Sequence, residues 1–149
     1  MKAGRLFSLI SGSLFLILGV ASLVPSLVKS GKPILEVSTS FGTIETYGYL
    51  LGLFPVNTVE AIFYLVFGVF GLASAVALDS SRFYAGFTAV VFGTLAILGL
   101  IPIANTVFGL FPVYGSDVWL HASVAIVATY FGFLATPNLL ELLQAKESA

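Results

Sequence analysis

Cysteine is missing from this chain altogether, which excludes disulfides, thiolate metal centres and cysteine nucleophiles. Charge is nearly as scarce: Asp, Glu, Lys and Arg make up 9% of the residues and the net charge is -1. That balance leaves no basic surface for nucleic acid and no polybasic lipid anchor. There is no phosphate loop, no dinucleotide-binding turn and no nucleophile elbow with a Ser-His-acid set, so no enzymatic activity is expected. With a single histidine and no cysteine, no metal site is read from the spacing.

What the chain does have is apolar sequence. Apolar residues make up 58% of it and the mean hydropathy is +1.08, whereas a water-soluble surface needs more charge than this. The apolar residues gather into four runs, at about 6–24, 59–78, 83–103 and 118–136. Each run is long enough to cross a hydrocarbon layer of roughly 30 Å at about 1.5 Å per residue. The charged residues fall outside these runs or at their ends, where they avoid an insertion cost of about 2.5 to 3.5 kcal/mol at the bilayer centre. The expected class is therefore all-α: an integral membrane four-helix bundle forming one domain, 1–149. Lys2 and Arg5 ahead of the first run also suit a cleaved signal peptide, but the run is longer than a usual signal core, so a retained helix is expected.

With the N-terminus inside, Lys2, Arg5, Arg82 and Lys146 lie on the inner side, against Lys29 and Lys32 on the outer side. The positive-inside rule then puts both termini in the cytoplasm.

The pentapeptide Gly52-Leu53-Phe54-Pro55-Val56 returns 57 residues later as Gly109-Leu110-Phe111-Pro112-Val113. At the same offset Glu60 matches Asp117, Tyr64 matches His121 and Gly68 matches Ala125. Ile17-Leu18-Gly19 likewise resembles Ile97-Leu98-Gly99, with Pro25 and Pro102 closing the two runs. The repeating unit is a helical hairpin, and two copies that each cross twice stand parallel, related about the membrane normal. The first copy has the longer connection, an outer loop at 25–57. Within it Ile34 to Thr39 alternates apolar and polar residues, as a strand does, and a segment after Gly42 has helix-forming potential. Tyr47 to Phe54 and Val107 to Phe111 each suit a short interfacial helix. Gly52, Phe54 and Pro55, and equally Gly109, Phe111 and Pro112, then form corners that turn the chain back into the membrane.

After the first corner, Asn57-Thr58-Val59-Glu60 fits a capping box, and Ser116 or Asp117 can cap the matching helix. Helix capping alone accounts for both acids. A second reading takes Glu60 with Tyr64, and Asp117 with His121, as pairs one turn apart on one helix face. If the hairpins bring those faces together, Asn57, Glu60, Tyr64, Asp117 and His121 form a polar cluster able to hold a cation, a polar headgroup or protons. No cofactor is expected, a tetrapyrrole on His121 being the one candidate. Trp119 is placed to anchor its helix at the headgroup level. Small residues mark the faces for close packing: Ser8 and Gly12; Gly71 and Ala75; Ala85, Ala89 and Gly93; Ala128 and Gly132. The tail at 137–149, capped by Asn138, has the leucines of a surface amphipathic helix.

Asn57-Thr58-Val59-Glu60 and Asp117-Val118-Trp119-Leu120-His121 together resemble Asn-Thr-x-Asp-Asn-x-x-His, the hallmark of a domain-of-unknown-function family of small four-pass bacterial and cyanobacterial membrane proteins. The first copy has Glu60 for the Asp, with Ala61 and Tyr64 for the second Asn and the His; the second copy keeps the acid and His121. The resemblance implies a four-pass protein of a bacterial plasma or thylakoid membrane and no established activity. The expected role is an accessory or structural one beside other membrane proteins or a second copy of the chain. Two alternatives stand: a small oligomeric transporter or channel with its polar entrance at the starts of the second and fourth helices, and lipid or pigment binding.

Overall fold

A computed structural model describes residues 3–30, 48–135, 137 and 139–148. Helix α1 spans Ala3–Ser22 and leads through a 3-10 turn, Pro25–Leu27, into strand β1, Val28–Ser30. Strands β2, Gly48–Leu50, and β3, Phe54–Val56, precede α2, Thr58–Ser74. Helix α3 spans Leu78–Leu100, and α4, Ser116–Thr129, continues into a π-helical turn, Tyr130–Leu134. A last helix, α5, covers Leu139–Glu147. Ala3–Ser22, Leu78–Leu100 and Ser116–Leu134 are long and apolar enough to cross a membrane; Thr58–Ser74 is apolar but shorter, at 17 residues.

The helix boundaries differ from the apolar runs for identifiable reasons. The second run, expected to reach 78, stops at Ser74 because Ala75 to Ala77 make a tight turn, and Arg5 Nε donates to Ala75 O at 2.7 Å at its end. The third helix begins at Leu78, not 83, because Ser80 and Ser81 hydroxyls donate back to Ser74 O, each at 2.9 Å, fixing the first turn. It ends at Leu100 with Ile101 extended, the backbone that Pro102 imposes on its predecessor.

An all-α fold is corrected by a three-stranded antiparallel sheet in the first connection, ordered β1-β2-β3. Tyr49 pairs with Lys29 on one side and Pro55 on the other. Pro55, which has no N–H to give, sits on an edge strand, where the ladder tolerates it. The short helix expected before Pro55 is replaced by this hairpin, and the one expected before Pro112 by a run of turns. In both, left-handed backbone makes the bend: Leu51 and Gly52 at φ 52 and 75, Val107, Phe108 and Gly109 at φ 46, 56 and 90. A helix cannot run through such residues. The alternating segment Ile34 to Thr39 and the segment after Gly42 lie outside the described residues, as does Asn138.

The helices meet through small residues. A side-chain carbon on Gly12 would come within 2.7 Å of Leu72 N, and one on Gly68 within 2.7 Å of Leu16 N, so α1 and α2 touch backbone to backbone. Gly132 lies as close to Gly86, bringing the π turn against α3, where Ala85 and Ala128 are fully buried. Between the helices Phe15, Phe67, Phe92, Tyr64 and Tyr84 form a continuous aromatic core. The outward faces carry exposed Ile10, Ile17, Val66, Val69, Val90 and Ile126, a surface suited to hydrocarbon rather than water.

Candidate functional site

The two helix starts at residues 57 and 115 are built differently. Asn57, in extended backbone, caps α2: its Oδ1 accepts from Glu60 N at 2.9 Å. Its Nδ2 donates to Leu110 O at 2.8 Å, tying this helix start to the loop before α4. Only half of the capping box forms, since Glu60 turns its carboxylate inward. Helix α4 begins after Gly115, at φ 65, and neither Ser116 nor Asp117 supplies the expected side-chain cap; Asp117 lies within the first turn and faces the interior.

Within the first two turns of α2 and α4 the four side chains converge. Tyr64 Oη lies 3.1 Å from Glu60 Oε1, 3.4 Å from Asp117 Oδ1 and 3.1 Å from His121 Nε2. Asp117 Oδ2 lies 3.9 Å from His121 Nε2. Glu60, Asp117 and His121 are fully buried and Tyr64 is 1% exposed. The i and i+4 spacing puts each acid above its partner, and the helix N-termini turn the positive ends of two dipoles toward the acids. Asn57, grouped with these residues on sequence grounds, stands at the rim as a cap and inter-loop tie rather than in the interior.

Aromatic rings close the inner side. Phe15 stacks on Tyr64 at a centroid distance of 5.8 Å, Phe92 meets His121 edge-on at 5.1 Å, and Phe15 and Phe92 stack at 4.7 Å. These two phenylalanines have no spacing signature that separates them from lipid-facing ones. In the two pentapeptides Pro55, Val56, Phe111, Pro112 and Val113 are buried, whereas Leu53 and Leu110 are exposed. Phe54 is half-buried, and Phe111 packs on Phe63 at 5.4 Å. Gly99 lets the second pentapeptide pack on α3: a side chain there would run into Val113 O and Val118. Trp119, by contrast, is 75% exposed on α4.

Chemically the cluster is rich in acceptors. Two carboxylates bring four oxygens, whereas Tyr64 has one proton to donate and the imidazole one per ring nitrogen at most. Glu60 Oε2 and Asp117 Oδ2 have no hydrogen-bond partner among the described residues, and neither does His121 Nδ1. Arg82, counted from the sequence among the inner-side charges, is 4% exposed near the start of α3 and donates through Nη1 to Phe131 O in the π turn.

No curated protein and no solved structure shows significant similarity to the chain. A family model does: residues 5–134 match it, and the chain belongs to the family described as Domain of unknown function (DUF4383).

Proposed function

We propose that the chain is a four-pass membrane protein of accessory or structural type, built as two parallel helical hairpins, α1 with α2 and α3 with α4, and working beside other membrane proteins. One observation carries this reading: the buried Glu60-Tyr64-Asp117-His121 cluster joins the second helix of one hairpin to that of the other and is closed by Phe15 and Phe92. It is a fastening between hairpins. Helix α2, at 17 residues, reaches about 26 Å, and a mismatch of a few ångströms from a 30 Å layer is absorbed by local thinning or by its flanks. The Lys and Arg distribution supports both termini on the cytoplasmic side. A pigment on His121 is disfavoured by the Tyr64 and Phe92 rings against the imidazole.

The test is purification from the native membrane in mild detergent, followed by cross-linking and mass spectrometry. The expected result is a particle larger than the monomer, with a reproducible membrane partner in fixed ratio. A monodisperse monomer without a partner overturns the accessory role. Proteoliposome flux abolished by Asp117→Asn overturns it in favour of transport.

A further inference from the structure

We propose that Glu60, Asp117 and His121 form the binding site of one divalent first-row transition-metal ion, with Zn2+ as the type case. Each of the three residues offers a ligand atom, and these atoms lie within 4.8 Å of one another. All three side chains are fully buried. A second observation points to a ligand: Glu60 Oε2 and Asp117 Oδ2 each lack a hydrogen-bond partner among the described residues, although buried carboxylate oxygens are ordinarily satisfied.

Charge balance makes the same demand. Among the described residues the ion pair that either acid makes is the one between Asp117 and His121, and none of the Lys or Arg residues described pairs with them. Two carboxylates in an apolar interior need compensation, and one divalent cation leaves the site neutral. The donor set selects the class. An imidazole nitrogen beside two carboxylates suits Zn2+, Mn2+ or Fe2+, whereas Ca2+ and Mg2+ call for six or more oxygens or several retained waters, and Cu+ favours sulfur. Tyr64 Oη, 3.1 to 3.4 Å from an atom of each ligand, is placed to give the fourth donor. Tetrahedral coordination brings donors to about 3.4 Å apart, so ligand atoms that lie within 4.8 Å of one another close in by up to about 1.4 Å through side-chain rotation. A metal here crosslinks α2 to α4 where the hairpins meet. This holds whether or not the protein works in a larger complex.

The test uses the full chain in mild detergent, stripped with a chelator and titrated with Zn2+ and, separately, Co2+. About one Zn2+ per chain is expected by elemental analysis, with a visible Co2+ spectrum of a non-octahedral site. Asp117→Asn and His121→Gln should each weaken Zn2+ binding by about tenfold or more, while Asp79→Asn, an exposed acid at the far end of the chain's third helix, leaves it unchanged. Far-UV circular dichroism identifies a variant that is unfolded, and the Co2+ spectrum of the unaltered chain tests the site without any variant. A folded chain that takes up no stoichiometric Zn2+, Co2+, Mn2+ or Fe2+ overturns the proposal, and so does Zn2+ binding equal in all variants. Either failure leaves the partner found by cross-linking untouched, so the two readings fail separately.

Discussion

Replacing Tyr64 by phenylalanine removes one oxygen and keeps the ring that stacks on Phe15, so the change isolates the hydroxyl at the centre of the cluster. That oxygen lies within 3.4 Å of Glu60, Asp117 and His121, all fully buried. A hydrogen bond to a charged group contributes about 1.5 to 3 kcal/mol and a neutral one about 0.5 to 1.5 kcal/mol. With one bond to a carboxylate and one to the imidazole, the loss sums to about 2 to 4.5 kcal/mol. Side-chain bonds inside membranes measure at the low end, because the unfolded reference in a micelle also finds partners, so about 2 kcal/mol is the expected cost. Tyr84→Phe is the internal comparison. Its hydroxyl bonds Ser11 Oγ at 3.3 Å, and Ser11 keeps its 2.7 Å bond to Phe7 O when that partner is lost, so about 0.5 to 1 kcal/mol is expected. The assay is reversible unfolding in mixed detergent micelles followed by circular dichroism, with chelator present so that no metal contributes. If Tyr64→Phe costs no more than Tyr84→Phe, the cluster is not the fastening described above.

Gly12→Leu should separate α1 from α2, because the first added carbon already lies 2.7 to 3.0 Å from backbone atoms of Gly68 to Leu72; thermal unfolding should show a loss of more than about 2 kcal/mol, while Gly93→Ala, whose added carbon meets only Ala125 Cβ at 3.8 Å, should change little. Trp119→Ala should leave stability nearly unchanged, since the ring is 75% exposed, and Trp119 fluorescence in the unaltered chain should be quenched most by labels near the headgroups; strongest quenching by labels at the bilayer centre contradicts its placement. Tags fused to the two termini should be protected or modified together in intact cells, and opposite behaviour would rule out an even number of crossings.

The helices were legible because long apolar runs with charges only at their ends leave few alternatives. Their ends were less so. Nothing in hydropathy marks Ala75 to Ala77 as a turn, and only Ser80 and Ser81 bonding back to Ser74 O shows why the chain reverses there. Glu60 with Tyr64 and Asp117 with His121 could be read as two pairs from their i and i+4 spacing. Their convergence depends on contacts 53 and 57 residues apart, which local spacing does not encode. For the same reason no metal signature is visible: the ligands divide between two helices instead of repeating along one. Asn57 looked like part of the cluster because it stands three residues from Glu60, but the cap draws its side chain to the rim.

Under the proposed duplication, the two copies of the pentapeptide show which features local sequence determines and which it does not. Both place a left-handed glycine, Gly52 or Gly109, ahead of a buried proline and valine. The first copy nevertheless becomes a β-hairpin and the second a string of turns. The difference is the partner: β2 pairs with β1, Val28–Ser30, which the longer first connection supplies, while the second connection has no strand among the described residues to extend a sheet. A lone two-stranded hairpin is marginal, so without that third strand the same residues settle into turns anchored on Thr106, whose carbonyl accepts from Gly109 N and Phe111 N. The caps diverge in the same way, Asn57 in one copy and Gly115 in the other. What stays matched across the divergence is the inner set, Val56 with Val113, Glu60 with Asp117 and Tyr64 with His121, all buried. Changes at the rim were accommodated by whatever backbone partners each loop had, whereas an inner residue must match three others at once.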